Sequence, residues 1–334
     1  MRKKRTVKTI VFVLGVVCML SGCRIGNVEI TFSGKPVTAV IKRDIFTLGG
    51  TGCEIKEAKV YLSNYQNIYG TAYGIDLWQH DFGDDSLVQY VKNITLQELT
   101  QIYGMNLLAE SKEVTLSEEE LADIGLAAEA YYESLSEEEI SYLEVSKGEI
   151  KEYYRHYALA RKLYHSLTEG VDEEVSDDEA RVMEIMQIFV SSEEKAEEVL
   201  TKLKGGEDFA TVASNYNELT AIQINVSRDD LPPEAEEVAF QMNNGEVSGS
   251  IEVENGYYFI RCMNKFDEEL TEANKVNIVE KRQKEALDDV YHEFMDSLTS
   301  NINEELWESL TPDTSGVVTT DSFFKVFEKY CGEM

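Results

Sequence analysis

The spacing of hydrophobic positions divides the chain into segments with different periodicities. Near the start, Val28–Phe32, Val37–Ile41 and Ile45–Leu48 are short β-branched or aromatic runs, which are typical of strands. The glycine-rich segment Gly49–Gly52 after them predicts a turn. Between Lys56 and Gly170 apolar residues instead recur at intervals of three and four, which predicts at least four amphipathic helices.

Serines followed by glutamates mark three helix starts in this helical stretch. Ser117, Ser136 and Ser146 each have a glutamate three residues later, which is the pattern of an N-terminal capping box. Carboxylates in a first turn also complement the positive end of the helix dipole. We therefore interpret the acidic runs as solvated helix starts, because a paired-carboxylate active site needs two acids in a shared pocket.

The pattern changes after a polar, acidic linker at Glu173–Ala180. Strands and helices then alternate in the order strand Arg181–Val190, helix Glu193–Leu203, helix Phe209–Tyr216, strand Ala221–Val226, helix Pro233–Phe240 and strands Val247–Ile251 and Tyr257–Cys262. A long helix at Glu272–Ile302 and a short one around Phe323–Phe327 follow, and we expect both to pack on the first helical segment. The predicted fold class is α+β.

The first residues predict the compartment. Basic residues precede an apolar run from Ile10 to Leu20, which is too short to span a bilayer and has the form of a signal peptide. The run ends in Leu20-Ser21-Gly22-Cys23, which resembles the bacterial lipobox. This resemblance implies cleavage before Cys23, lipid attachment to its thiol and an extracytoplasmic, membrane-anchored protein. An uncleaved anchor with an incidental cysteine is the alternative.

These patterns predict five parts along the chain: a signal peptide at 1–22, an anchor segment with a short hairpin at 23–55, a helical domain at 56–172, an α+β domain at 178–268 and returning C-terminal helices at 270–334.

Charge and composition exclude several classes of function. The chain has 31 Lys and Arg against 63 Asp and Glu, a formal net charge of −32, so its surface repels nucleic acid. The loop His80–Asp85 lacks the alternating acids of a calcium loop, and the cysteines form no zinc or disulfide pattern. We therefore predict neither a metal nor a cofactor.

The α+β segment resembles a parvulin-type peptidyl-prolyl isomerase domain. The resemblance rests on Gln187–Val190, Ala196–Ala213, Pro233–Phe240, Gly245–Gly249 and Gly256–Ile260, in the family's order and spacing. An isomerase domain between helical segments also resembles extracytoplasmic foldases of the PrsA and SurA kind. In such proteins the helices form a chaperone domain that holds unfolded chains.

The resemblance implies where the isomerase site lies, and its polar members are replaced here. The two family histidines fall on Gln187 and Tyr258, and the acid or thiol position falls near Ile222 or Gln223. Residues of the substrate-binding wall fall on Leu231, Ala235 and Phe240. Leu231 and Phe240 are the candidate proline-binding residues, although Gln187, Tyr258 and Phe240 are also explained by packing within the domain.

The predicted function is that of a foldase or chaperone for unfolded or proline-containing secreted polypeptides, with prolyl isomerisation weakened by the loss of both histidines. Two alternatives stay open at this point. The first is an active isomerase, because an apolar pocket can lower the barrier of an X-Pro amide without a nucleophile. The second is a non-catalytic lipoprotein that binds or scaffolds in the cell envelope.

Overall fold

The computed structural model describes residues 43–73, 87–313 and 315–332. The predicted signal peptide, Cys23, the strands Val28–Phe32 and Val37–Ile41 and the loop His80–Asp85 lie outside these residues. Within them the chain forms two compact units. One is Val171–Gln283, and the other, which we call the helical unit, is formed by the described residues on either side of it.

The secondary structure confirms the α+β class. The helical unit begins with β1 Asp44–Leu48, β2 Thr51–Glu54, α1 Ile55–Tyr73, α2 Leu87–Ser111, α3 Glu118–Ser134, α4 Glu137–Leu143 and α5 Lys147–Thr168. The next elements are α6 Asp177–Ala180, β3 Met183–Val190, α7 Glu193–Lys204, α8 Phe209–Tyr216, β4 Gln223–Val226, α9 Pro233–Ala239, β5 Ile251–Val253 and β6 Gly256–Asn264. The chain ends with α10 Glu268–Ser297, β7 Ser300–Ile302, α11 Glu304–Ser309 and α12 Phe323–Cys331. No helix within the described ranges has the length and apolar content needed to cross a bilayer.

The three predicted capping boxes are confirmed at the starts of α3, α4 and α5. At α3 the Glu120 amide donates to the Ser117 hydroxyl at 3.2 Å, and the Ser117 amide donates to the Glu120 carboxylate at 2.6 Å. Each box satisfies two amides that a helix start otherwise leaves unpaired, and such a cap is worth about 1 kcal/mol.

A small sheet in the order β2-β1-β7 closes one side of the helical unit. Gly49 and Gly50 connect β1 and β2 with φ values of +56° and +91°, so the turn requires residues that tolerate the left-handed region. The prediction of a helix through Ile302 was wrong, because α10 ends at Ser297 and residues 300–302 pair with β1. The Gly49 amide donates to the Thr299 carbonyl at 2.8 Å, so tertiary pairing overrides the helical pattern there.

An aromatic cluster forms much of the helical core. Phe323, Phe324 and Phe327 of α12 are buried against tyrosines of α1, α3 and α5, namely Tyr61, Tyr65, Tyr131, Tyr154 and Tyr157. The rings of Phe323 and Tyr154 stack with centroids 4.3 Å apart. Because aromatic pairs contribute beyond their buried area, the last helix is a structural part of this unit.

The unit Val171–Gln283 is built on an antiparallel sheet in the order β4-β3-β6-β5. Alternation along β3 directs Met186, Ile188 and Val190 toward α7 and α8, and Met183, Ile185 and Phe189 toward α9. The predicted strand Val247–Ile251 was misplaced, because β5 is Ile251–Val253 and Val247 makes only an isolated bridge. The Ile260 backbone N–H donates to the Ser248 hydroxyl at 2.8 Å, so a side chain takes the place of a backbone acceptor at that point.

Candidate functional site

The two central strands, β3 and β6, place Gln187 and Tyr258, the predicted site residues, on one face of the sheet. Gln187 pairs with Ile260, and Phe189 pairs with Tyr258. Residues paired across an antiparallel ladder project to the same face. Gln187 and Tyr258 therefore belong to successive pairs on one face and are diagonal neighbours. The register therefore brings the two predicted site residues to the same face of the sheet.

Helix α9 brings the predicted proline-binding residues to this same face. Leu231 precedes the helix and Phe240 follows it, and each is 7% exposed. Both belong to a buried cluster with Tyr258, Ile260 and Ala235. Leu231, Phe240 and Tyr258 therefore share one buried cluster, and Gln187 lies on the same face of the sheet; we call these four residues the α9 face (Gln187, Leu231, Phe240 and Tyr258).

The polar groups of the α9 face are an amide and a phenol. The Gln187 side-chain amide donates to the Ala221 carbonyl at 3.0 Å, which directs it toward the start of β4. The Tyr258 ring lies 5.1 Å from that of Phe189, and burial raises the pKa of the Tyr258 hydroxyl above its usual value. Neither group gains or loses a proton near neutral pH, whereas a histidine can do so.

Ile222 and Gln223, near which the resemblance implies an acid or a thiol, lie at the edge of the sheet. The backbone N–H of Gln187 donates to the Ile222 carbonyl at 2.7 Å. Gln223 begins β4, and its side chain is exposed. A thiol does lie on the face at Cys262, but it is fully buried and burial raises its pKa. It is therefore a protonated core residue.

Two arginines that sequence reasoning missed lie against Phe240. The guanidinium carbon of Arg228 is 4.1 Å from the ring centroid, and that of Arg181 is 4.8 Å away. Arg181 also donates to the Phe240 carbonyl at 2.7 Å, and Asp178 lies within 4 Å of both guanidinium groups, at 3.7 and 3.3 Å. The arginines are far apart in sequence, so no local pattern indicates that they converge.

This arrangement supports contact with apolar and amide groups more readily than proton transfer. Tyr258 and Gln187 can each donate and accept hydrogen bonds, and Leu231 and Phe240 supply apolar surface. In the part of the chain that the structure describes, no three His, Cys, Asp or Glu side chains are grouped to hold a metal ion. The roles of the four predicted residues stay predictions.

Comparisons with known proteins agree on one relationship. Residues 145–276 match the PPIC-type PPIASE domain. The Foldase protein PrsA of Halalkalibacterium halodurans is 30% identical over 273 residues, which cover 72% of this chain and 80% of that protein. The Foldase protein PrsA of Caldanaerobacter subterraneus subsp. tengcongensis is 26% identical over 254 residues, covering 69% and 78%. A crystal structure of Peptidylprolyl Isomerase (PrsA) from Bacillus cereus aligns with a TM-score of 0.38 and 18% identity, covering 74% of this chain and 96% of that one.

Proposed function

The chain belongs to the PrsA family of parvulin-type foldase proteins, and we propose from this premise that it holds unfolded exported polypeptides outside the cytoplasm and isomerises X-Pro bonds poorly. The second half is supported by Gln187 and Tyr258, which stand where the family resemblance implies two histidines. The first half is supported by the family and by the acidic, helix-rich chain.

Rotation about an X-Pro bond is slow because the amide loses resonance at its barrier, about 18–20 kcal/mol. A site accelerates it by desolvating the amide and by hydrogen bonds that strengthen in the twisted state. Here Tyr258 is 8% exposed and Phe240 is 7% exposed, and the ring of Phe240 already contacts two guanidinium groups. A proline would therefore have to displace existing packing to reach these residues.

We expect the full chain to slow the aggregation of reduced lysozyme while the cis-to-trans turnover of a proline tetrapeptide stays at the uncatalysed rate. A basic client is the appropriate choice, because a chain of net charge −32 attracts it and repels acidic ones. Light scattering gives the first readout, and a protease-coupled assay gives the second.

The variants Tyr258→Phe and Gln187→Leu are the matched controls for this experiment. Turnover above background that either variant abolishes would establish an active isomerase, the alternative left open by the sequence. Failure of the unmodified chain to slow aggregation at equimolar ratio would contradict the holding function.

We also propose that the chain is attached to the membrane through lipid on Cys23. The support is the Leu20-Ser21-Gly22-Cys23 sequence after a short apolar run. One acyl chain binds a bilayer only marginally, whereas two or more anchor stably. The body, with its excess of acidic residues, would be held away from anionic lipid.

Replacing Cys23 by serine is expected to abolish incorporation of radiolabelled palmitate and to move the protein from the membrane fraction to the soluble fraction. The physical reason is that a hydroxyl is not the thiol acceptor that a lipobox presents. Cys18→Ser, within the apolar run, is the control and should leave labelling unchanged. Persistent membrane retention without label in Cys23→Ser would indicate an uncleaved anchor.

A further inference from the structure

The helical unit contains an open cavity of about 440 Å³ between α2 and α5. The volume falls within the range of sites that bind small molecules or single side chains. Exposed residues Thr51, Glu110 and Thr115 stand at its rim, so it communicates with solvent. Every residue that lines it belongs to the helical unit, and none belongs to the α9 face.

One wall of this cavity is aliphatic. It is made of half-buried side chains from α2, from the connection between α2 and α3, and from α3 and α5, namely Leu107, Val114, Leu116, Leu121 and Leu159. These residues pack on the helical core and yet retain surface toward the cavity. Apolar surface of this kind gains free energy when an apolar group displaces water from it, at about 25 cal/mol per Å².

The cavity lining also includes an imidazole that a carboxylate holds in place. His156 Nδ1 lies 3.1 Å from a carboxylate oxygen of Glu57, and the Tyr103 hydroxyl donates to the other oxygen at 2.7 Å. With Nδ1 held by the Glu57 carboxylate, Nε2 is the ring nitrogen left to contact a ligand. Tyr103 and His156 both line the cavity.

This network is costly to maintain for packing alone. Glu57 is 1% exposed, and burying a carboxylate carries a penalty of several kcal/mol that its hydrogen bonds must offset. A pair of apolar side chains would fill the same space at lower cost. The arrangement is therefore explained better by the orientation that it gives to His156 at the cavity wall.

The charges near the cavity select against anionic ligands. Glu110 lies at the rim and Glu57 lies behind His156, while the Arg155 guanidinium is paired with Glu152 at 2.7 Å. A fatty acid would bring its carboxylate toward this acidic wall. An uncharged peptide segment can instead place an aliphatic side chain against the leucines and donate a backbone N–H to His156.

We propose that this cavity binds an aliphatic side chain of an extended, uncharged polypeptide segment, with His156 Nε2 accepting a backbone N–H. The proposal rests on the proposed function, because it names the segment of an unfolded client that the helical unit recognises. It gives the helical unit a defined subsite that does not depend on the α9 face.

The test is a titration of the full chain with N-acetyl-Leu-Leu-Leu-amide, followed by the NMR signals of leucine and valine methyl groups. We expect saturable shifts at Leu107, Leu116, Leu121 and Leu159 and none at Val199, which is buried in the other unit. N-acetyl-Ser-Ser-Ser-amide should give no shifts, because it lacks apolar side chains.

Two variants test the aliphatic side chains and the imidazole separately. Leu116→Trp fills the cavity from a half-buried loop position and should weaken binding at least tenfold with an unchanged melting temperature. His156→Lys can still donate to Glu57 but has no acceptor atom, and it should weaken binding about fivefold, the worth of one hydrogen bond. Val114→Phe replaces Leu116→Trp if that variant does not fold.

The outcomes distinguish this proposal from the proposed function. Unchanged peptide affinity in Leu116→Trp, or tighter binding of decanoate than of the tri-leucine peptide, would overturn the cavity proposal. If the unmodified chain slows lysozyme aggregation and Leu116→Trp does so equally well, the holding function stands and the subsite is wrong. If the peptide binds in the cavity and aggregation is never slowed, the subsite stands and the holding function is wrong.

Discussion

Replacing Phe323 by alanine is expected to lower the free energy of unfolding of the helical unit by about 3–5 kcal/mol. The side chain is fully buried, and its ring lies 4.3 Å from Tyr154 and 5.2 Å from both Tyr61 and Tyr131. Its amide also donates to the Asn64 side chain at 3.0 Å. Truncation leaves a cavity, and the hydrogen bonds from the Phe323 backbone to Asn64 and Tyr154 hinder the surrounding core from closing it.

Tryptophan fluorescence in a denaturant titration measures this effect selectively. The chain has only two tryptophans, Trp78 and Trp307, and neither lies in Val171–Gln283. Lys325→Ala is the matched control, because that side chain is half exposed on the same helix and its loss should change stability by less than about 0.5 kcal/mol. Equal midpoints for Phe323→Ala and Lys325→Ala would contradict the structural role of α12.

The second large effect concerns Glu98, and it depends on pH. This residue of α2 is fully buried, and neither carboxylate oxygen has a hydrogen-bond partner among the described residues. Burial raises its pKa from 4.5 to about 8. The folded state therefore binds a proton that the unfolded state has released, so stability is fully present below pH 4.5 and is lost as the pH rises through about 8.

Glu98→Gln is expected to remove this loss. A pKa rise of that size corresponds to about 5 kcal/mol, and we expect the variant to exceed the unmodified chain by about 3–5 kcal/mol at pH 9. At pH 4 the two should be nearly equal, because both carry a neutral side chain there. Denaturant titrations at several pH values give the difference.

The difference between the two chains is the useful quantity, because other carboxylates also titrate in this range. Hydrogen bonds hold the pKa of Glu120, Glu139 and Glu149 below the usual value despite some burial, and these groups act equally in both proteins. Glu110→Gln, at an exposed position on the same helix, should show no pH-dependent gain. A constant difference between Glu98→Gln and the unmodified chain from pH 4 to pH 9 would rule out this account.

Local signals in the sequence predicted the local features of the fold. A serine followed three residues later by glutamate specifies a helix start through contacts within one turn, and all three such starts are present. Alternation along β3 and β6 likewise set which residues share a face. The four predicted site residues were assigned through the family resemblance, and the structure groups three of them, Leu231, Phe240 and Tyr258, in one buried cluster.

Features that depend on distant segments could not be predicted in this way. Residues 300–302 read as a continuation of α10, and they form a strand only because β1 offers an edge some 250 residues earlier in the chain. The stacking of Arg181 and Arg228 on Phe240 needs three separate segments to meet. The cavity beside His156 likewise depends on how helices pack, which the hydrophobic period of each one does not specify.

The pairing of β1 with β7 and the position of α12 fix an order of events during biosynthesis. A chain that emerges from its N-terminus completes Val171–Gln283 while the partners of Tyr61 and Tyr131 are still being made. At 5–20 residues per second, the stretch from residue 171 to α12 takes roughly 10–30 s. During that interval the tyrosines of α1 and α3 lack the phenylalanine that contacts them in the finished chain.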